Sequence, residues 1–182
     1  MMTPRAKHEL RHMVYAAVCL ALALVLPFLT GNIPHIGRAL CPMHLPVLLC
    51  GFVAGPWWGV AVGITAPVLR HLLFFAPAYP TFAAMAAELG VYGLVSGLLY
   101  KHLPRRMGCI YLSLLTSMVL GRIASGAAMA ALLGLGGQSY TFAAFLAANV
   151  TGAIPGIIVQ IVLIPVIVLA LEKAGIAHKH RH

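Results

Sequence analysis

Four residues, Arg70, Glu88, Arg122 and Asn149, stand inside long apolar runs of a sort that seldom carry polar groups. A charge at mid-bilayer costs at least about 2.5–3.5 kcal/mol on insertion scales, so such residues face a bundle interior or a water-filled cavity. A guanidinium presents a planar fork of N–H donors that matches a carboxylate or phosphate, whereas an ammonium presents only a point charge. One glutamate neutralises one arginine, and the chain has no aspartate to compensate the second. The surplus suits an anionic ligand. Two plainer arrangements use the same residues: a buried Glu88–Arg122 ion pair with Asn149 hydrogen-bonding between helices, and Arg70 snorkelling to the outer surface.

The elements that must hold these residues follow from composition. Hydrophobic residues make up 62% and charged residues 8% of the 182 positions, against about 25% charged in soluble proteins. This predicts an integral membrane protein of all-α class, a six-helix transmembrane bundle in a single domain, 1–182. A bilayer core of about 30 Å needs about 20 apolar residues per span. Charges and Pro/Gly punctuation place the spans at about 11–29, 43–54, 57–74, 79–100, 109–133 and 141–171. The second is too short to cross, so it is expected to start inside the protein with the preceding loop folded back over the outer face. The turn "GPWWG" joins it to the third as a helical hairpin. The start "RAKHELRH" leads into an apolar run without a small-residue cleavage pattern, so the first span is expected to be retained.

Basic residues fix the orientation. Arg5, Lys7 and Arg11 precede the first span, Lys101, Arg105 and Arg106 follow the fourth, and Lys173, Lys179 and Arg181 close the chain. Six spans put all three clusters on one side, which the positive-inside rule makes cytoplasmic, with both termini there. The net charge of +9 is then an orientation signal rather than a nucleic-acid footprint. With this topology, Arg70, Glu88, Arg122 and Asn149 all rise to the outer half of the bilayer, from four different spans. They point to one cavity.

The loop before the second span, with Asn32, His35, Arg38, Cys41 and His44, is the expected lid over that cavity. Arg38 and His44 join the candidate substrate contacts, although His44 reads first as an ordinary hydrogen-bonding residue at a helix start and second as a ligand contact. "CPMH" contains soft-metal donors, but three in one short loop make a weak metal signal, and no metal or cofactor is assigned. The four cysteines lack CxxC spacing and read as reduced packing residues. "HKHRH" reads as a solvated tail. Ala17 and Ala21 form a flat face on the first span, and Gly55, Gly59 and Gly63 repeat at the same interval; such faces let helices approach closely in lipid, within the chain or against a second membrane protein. There is no GxSxG, HExxH or Walker motif, so an enzyme is not expected and any ATP coupling must come from a partner. A stand-alone secondary transporter or channel, with Glu88 carrying protons, is the alternative.

The length, the six spans, the Ala17/Ala21 pair and the block "PMHLPVLLCGFVAGPWWGVAVGITAPVLRHLLF" together resemble the substrate-binding S components of energy-coupling factor (ECF) vitamin transporters, in the riboflavin/pantothenate-like branch. The resemblance covers almost the whole chain. It implies a subunit of an ECF-type ABC importer in a prokaryotic cell membrane, capturing a small water-soluble vitamin or precursor from outside. It further implies a transmembrane coupling (T) subunit and two ATPase subunits as partners, with Ala17 and Ala21 where the T subunit docks. Substrate contacts in such proteins come from the first outer loop and the outer helix halves, where Arg38, His44, Arg70, Glu88, Arg122 and Asn149 are placed.

Overall fold

The computed structural model describes residues 3–30, 41–104, 106–137, 140–149 and 151–175. They form α1 (Pro4–Thr30), α2 (His44–Ala54), α3 (Pro56–Phe74), α4 (Thr81–His102), α5 (Met107–Leu135), α6 (Phe142–Asn149), a 3-10 turn (Thr151–Ala153) and α7 (Ile154–Lys173). No strand occurs among the described residues. Five stretches, the last being Phe142–Lys173, are long and apolar enough to cross a membrane. The sixth segment is α2, whose 11 residues reach only about 16 Å at 1.5 Å per residue. The protein is an all-helical membrane bundle.

Local chemistry sets the breaks. Gly55 joins α2 to α3 with φ of 94°, a conformation that disfavours any side chain, and Pro56 then opens α3 where its missing N–H costs nothing. Between residues 142 and 173 the helix is interrupted rather than continuous. Pro155 lies in the first turn of α7 and cannot donate to a carbonyl of the preceding turn, while the Thr151 hydroxyl donates to the Ala147 carbonyl at 3.0 Å.

Helix α4 packs against α2, α3 and α5, and α7 packs against α2 and α5 on the other side. Among the described residues neither α2 with α5 nor α4 with α7 packs extensively. The order α4, α2, α7, α5 is therefore a ring of four helices, with α1 flanking α2 and α3. The ring encloses the core: Val47 and Leu48 of α2, Leu89 and Tyr92 of α4, Leu114 of α5, and Ile164 and Val168 of α7 are all buried. Val14, Val18 and Val25 of α1, Val119 and Ile123 of α5, and Val162 and Val166 of α7 are exposed, as lipid-facing residues should be.

The glycines at the α3–α4 seam are used within the chain. A methyl carbon on Gly59 would lie 2.7 Å from the Gly93 carbonyl oxygen, and one on Gly63 would lie 2.8 Å from the Gly90 nitrogen. The two backbones touch, which suits helix pairing by close packing in lipid.

Contacts at the helix ends show which ends lie together. Tyr100 donates to Glu172 and packs edge-on to Phe52, ring centroids 5.2 Å apart, so the C-terminal ends of α2, α4 and α7 share a level. At the opposite end Phe28 of α1 meets Phe74 of α3 at 4.7 Å. The N-terminal end of α1 and the C-terminal end of α7 thus fall at one end of the bundle. That end carries Lys7, Arg11, Lys101 and Lys173, and the positive-inside rule makes it the cytoplasmic one.

Candidate functional site

Three helices of the ring bring their polar residues to one point. Glu88 of α4 is buried, and its Oε1 receives the Tyr92 hydroxyl at 3.0 Å, one helical turn along the same face. His44, the first residue of α2, places Nε2 at 3.3 Å from the same oxygen. Arg122 of α5 places Nε at 3.4 Å from it. Since α2 and α5 are not neighbours, their meeting point at Glu88 lies within the ring.

Small residues make this possible. A methyl group on Gly121 would strike the Tyr92 ring and would lie 3.0 Å from the Glu88 carbonyl oxygen, so the adjacent Arg122 is held at the level of Glu88. The Tyr92 ring in turn stands edge-on to His44, centroids 5.4 Å apart. Cys41 precedes α2 in a left-handed conformation, φ 46°, and its thiol, pushed up by burial, faces the Arg122 guanidinium.

The cluster leaves hydrogen-bonding capacity unused. Arg122 Nε is at ion-pair distance from Glu88 without hydrogen-bond alignment, Nη2 is buried with no partner, and His44 Nδ1 is likewise buried and unpaired. The buried serines of α5 do not behave this way. Ser113 donates to the Cys109 carbonyl at 2.8 Å and Ser117 to the Leu114 carbonyl at 2.7 Å, each within its own helix. A buried donor without an acceptor costs about 1–3 kcal/mol, and more when charged. The free N–H edge of Arg122 can donate to a carboxylate, phosphate or carbonyl oxygen.

Of the residues expected to share the cavity, Glu88, Arg122 and His44 come together, and Arg70 does not join them. Its Nη1 reaches the Leu24 carbonyl of α1 at a long 3.5 Å, and its guanidinium lies 5.3 Å from the Phe28 ring centroid. Asn149 ends α6, but its side chain is outside the described residues, as is the whole of Arg38 with loop 31–40 and the tail 176–182. Ala17 lines an apolar groove between α1 and α3 with Met13, Leu20, Trp58, Val62 and Thr65, and Ala21 is exposed one turn further on. Tyr92 was missed by reasoning from charge alone, although its spacing of four from Glu88 is a usable signal.

Glu88 thus gathers a guanidinium, an imidazole and a phenol inside the helical bundle. The family model for "ECF transporter, substrate-specific component" matches residues 11–168. The chain belongs to that family. No curated protein and no solved structure matched it. As an S component it is a multi-pass membrane protein with the substrate-binding role in transport, and its family works in general with a T subunit and ATPase subunits.

Proposed function

We propose that this S component captures a small water-soluble vitamin or precursor, of the riboflavin or pantothenate kind, from outside a prokaryotic cell. It then passes the compound through a T subunit driven by two ATPases, and catalyses no reaction itself. The observation that carries the substrate site is the unfilled, buried N–H edge of Arg122 beside Glu88. With Arg70 directed to α1, Glu88 and Arg122 balance each other's charge, so the ligand need not be an anion. What the site asks for is an acceptor oxygen for Arg122.

The T subunit is proposed to dock on the α1 face of Ala17 and Ala21, where a flat surface beside the Trp58 groove allows close helix approach. Ala17→Trp and Ala21→Trp should abolish uptake in cells that express the coupling subunits while purified protein keeps its affinity. Loss of both activities would mean that the alanines serve the chain's own packing, and retention of both would move the docking face elsewhere. Equilibrium titration of the purified protein in detergent tests the site itself. Arg122→Ala and Glu88→Ala should each weaken binding while the chain still inserts, and unchanged affinity in both would remove the cluster from the binding site. The His44–Glu88 contact of 3.3 Å also suits a proton-coupled carrier, which would transport by itself in liposomes. The proposed S component would not.

A further inference from the structure

Helix α7 contributes a further polar side chain to the ring, and none of Glu88, Tyr92, His44 and Arg122 pairs with it. Gln160 is fully buried, and neither its amide oxygen nor its amide nitrogen has a hydrogen-bond partner. It belongs to the buried stripe Gly156, Gln160, Ile164 and Val168, one residue per turn, whose last two members pack into the shared core with residues of α2, α4 and α5. That stripe faces the ring interior.

Its height is fixed by the inner clasp. Tyr100 and Glu172 are in contact, and from that level Glu88 and Gln160 each stand twelve residues up their helices (100 to 88 and 172 to 160). At 1.5 Å per residue both rise by about 18 Å. Each helix of the ring α4, α2, α7, α5 therefore carries a polar side chain near one level: Glu88 with Tyr92, His44, Gln160 and Arg122. Three of them hold buried hydrogen-bonding atoms with no partner: His44, Gln160 and Arg122. Buried amides are paired in the great majority of cases, and the lipid outside the ring has nothing to offer this one. An amide also differs from the guanidinium in what it takes, since it needs an acceptor for its NH2 and a donor for its C=O together.

We propose that Gln160 is a substrate-contacting residue closing the site from α7, and that it takes a neighbouring donor–acceptor pair on the ligand, an amide or imide edge, while Arg122 takes an acceptor oxygen. This rests on the substrate-capture reading above. A ligand of this class bridges the neighbouring helices α5 and α7 and satisfies both sets of unpaired atoms.

The test uses the purified full chain in detergent, with pantothenate (an amide) and riboflavin (an imide) as probes and thermal unfolding measured alongside. Wild type binds at least one probe. Gln160→Leu melts at or above the wild-type temperature without ligand, because it removes an unsatisfied amide, yet binds that probe about tenfold or more weakly. If the leucine variant does not fold, Gln160→Asn carries the test: it keeps the amide but withdraws it by one methylene, and the same loss is expected. Unchanged binding in Gln160→Leu, a lower melting temperature with binding intact, or a wild type that binds neither probe overturns the proposal. Arg122→Gln separates the two readings. If it loses binding and Gln160→Leu does not, capture at the Glu88 cluster stands and the role of Gln160 falls; if neither variant changes binding, both fall.

Discussion

Arg122 and Arg70 occupy two regions at nearly the same height, about 21–23 Å above the inner helix ends at Met107 and Pro56. Arg122 sits inside the four-helix ring with Glu88 at 3.4 Å and part of its donor edge unused. Arg70 sits at the α1–α3 seam, where the Phe28 ring and the Leu24 carbonyl receive it. Depth is the same and azimuth differs. In a membrane, depth sets what a charge costs, but the direction a helix turns it decides whether it binds a ligand or fastens two helices.

The largest effect separating the two regions should come from Glu88→Ala. It leaves the mostly buried Arg122 side chain without its counter-charge, and breaking one side of a buried pair typically costs about 3–5 kcal/mol. Thermal unfolding in detergent should show a strong loss, largely recovered when Arg122→Gln is added, since the stranded charge is then gone. A double variant as unstable as the sum of the two singles would show that the two residues do not act as a pair.

A smaller effect is expected at the seam that ties the regions together. Gly93→Ala pushes a methyl group into the Gly59 backbone, and overpacking of this kind costs about 1–3 kcal/mol. If the ring holds the site and α3 only buttresses α4, ligand affinity should stay within about threefold of wild type. An affinity that collapses with the stability would place α3, and with it the surroundings of Arg70, in the binding mechanism.

The least effect belongs to Arg70. Arg70→Gln removes a cation–π contact worth about 0.5–1 kcal/mol at a partly exposed position, and unfolding should shift by little more than that. A loss as large as that of Glu88→Ala would mean that Arg70 is as deeply committed as Arg122.

The sequence made some of this arrangement legible. The α2–α3 turn was readable because Gly55 and Pro56 act locally, through a positive φ and a missing N–H. The meeting of Glu88 and Arg122 was readable because neither charge can face lipid. That Arg70 stays outside the cluster was one of two readings the sequence left open, because apolar residues surround all sides of these helices and leave no periodicity from which to read azimuth. The seam of Gly59 against Gly93, a tertiary contact, helps decide how α3 sits on α4. Hydropathy is equally blind to the break at 151–153, since Thr151, Gly152 and Ala153 interrupt the hydrogen bonding but not the apolar run. Gln160 escaped because the sequence reading took Asn149 as the polar residue of this segment, read as one continuous span, and left the second amide unplaced.

The most direct measurement is a pair of equilibrium titrations of purified protein, Arg122→Gln beside Arg70→Gln, with the compound that co-purifies with wild type. A site built around the Glu88 cluster predicts a loss of about ten- to a hundredfold for Arg122→Gln, the value of a hydrogen bond to a charged group, and an affinity for Arg70→Gln within about threefold of wild type. The reverse pattern, or equal losses in both, would contradict it.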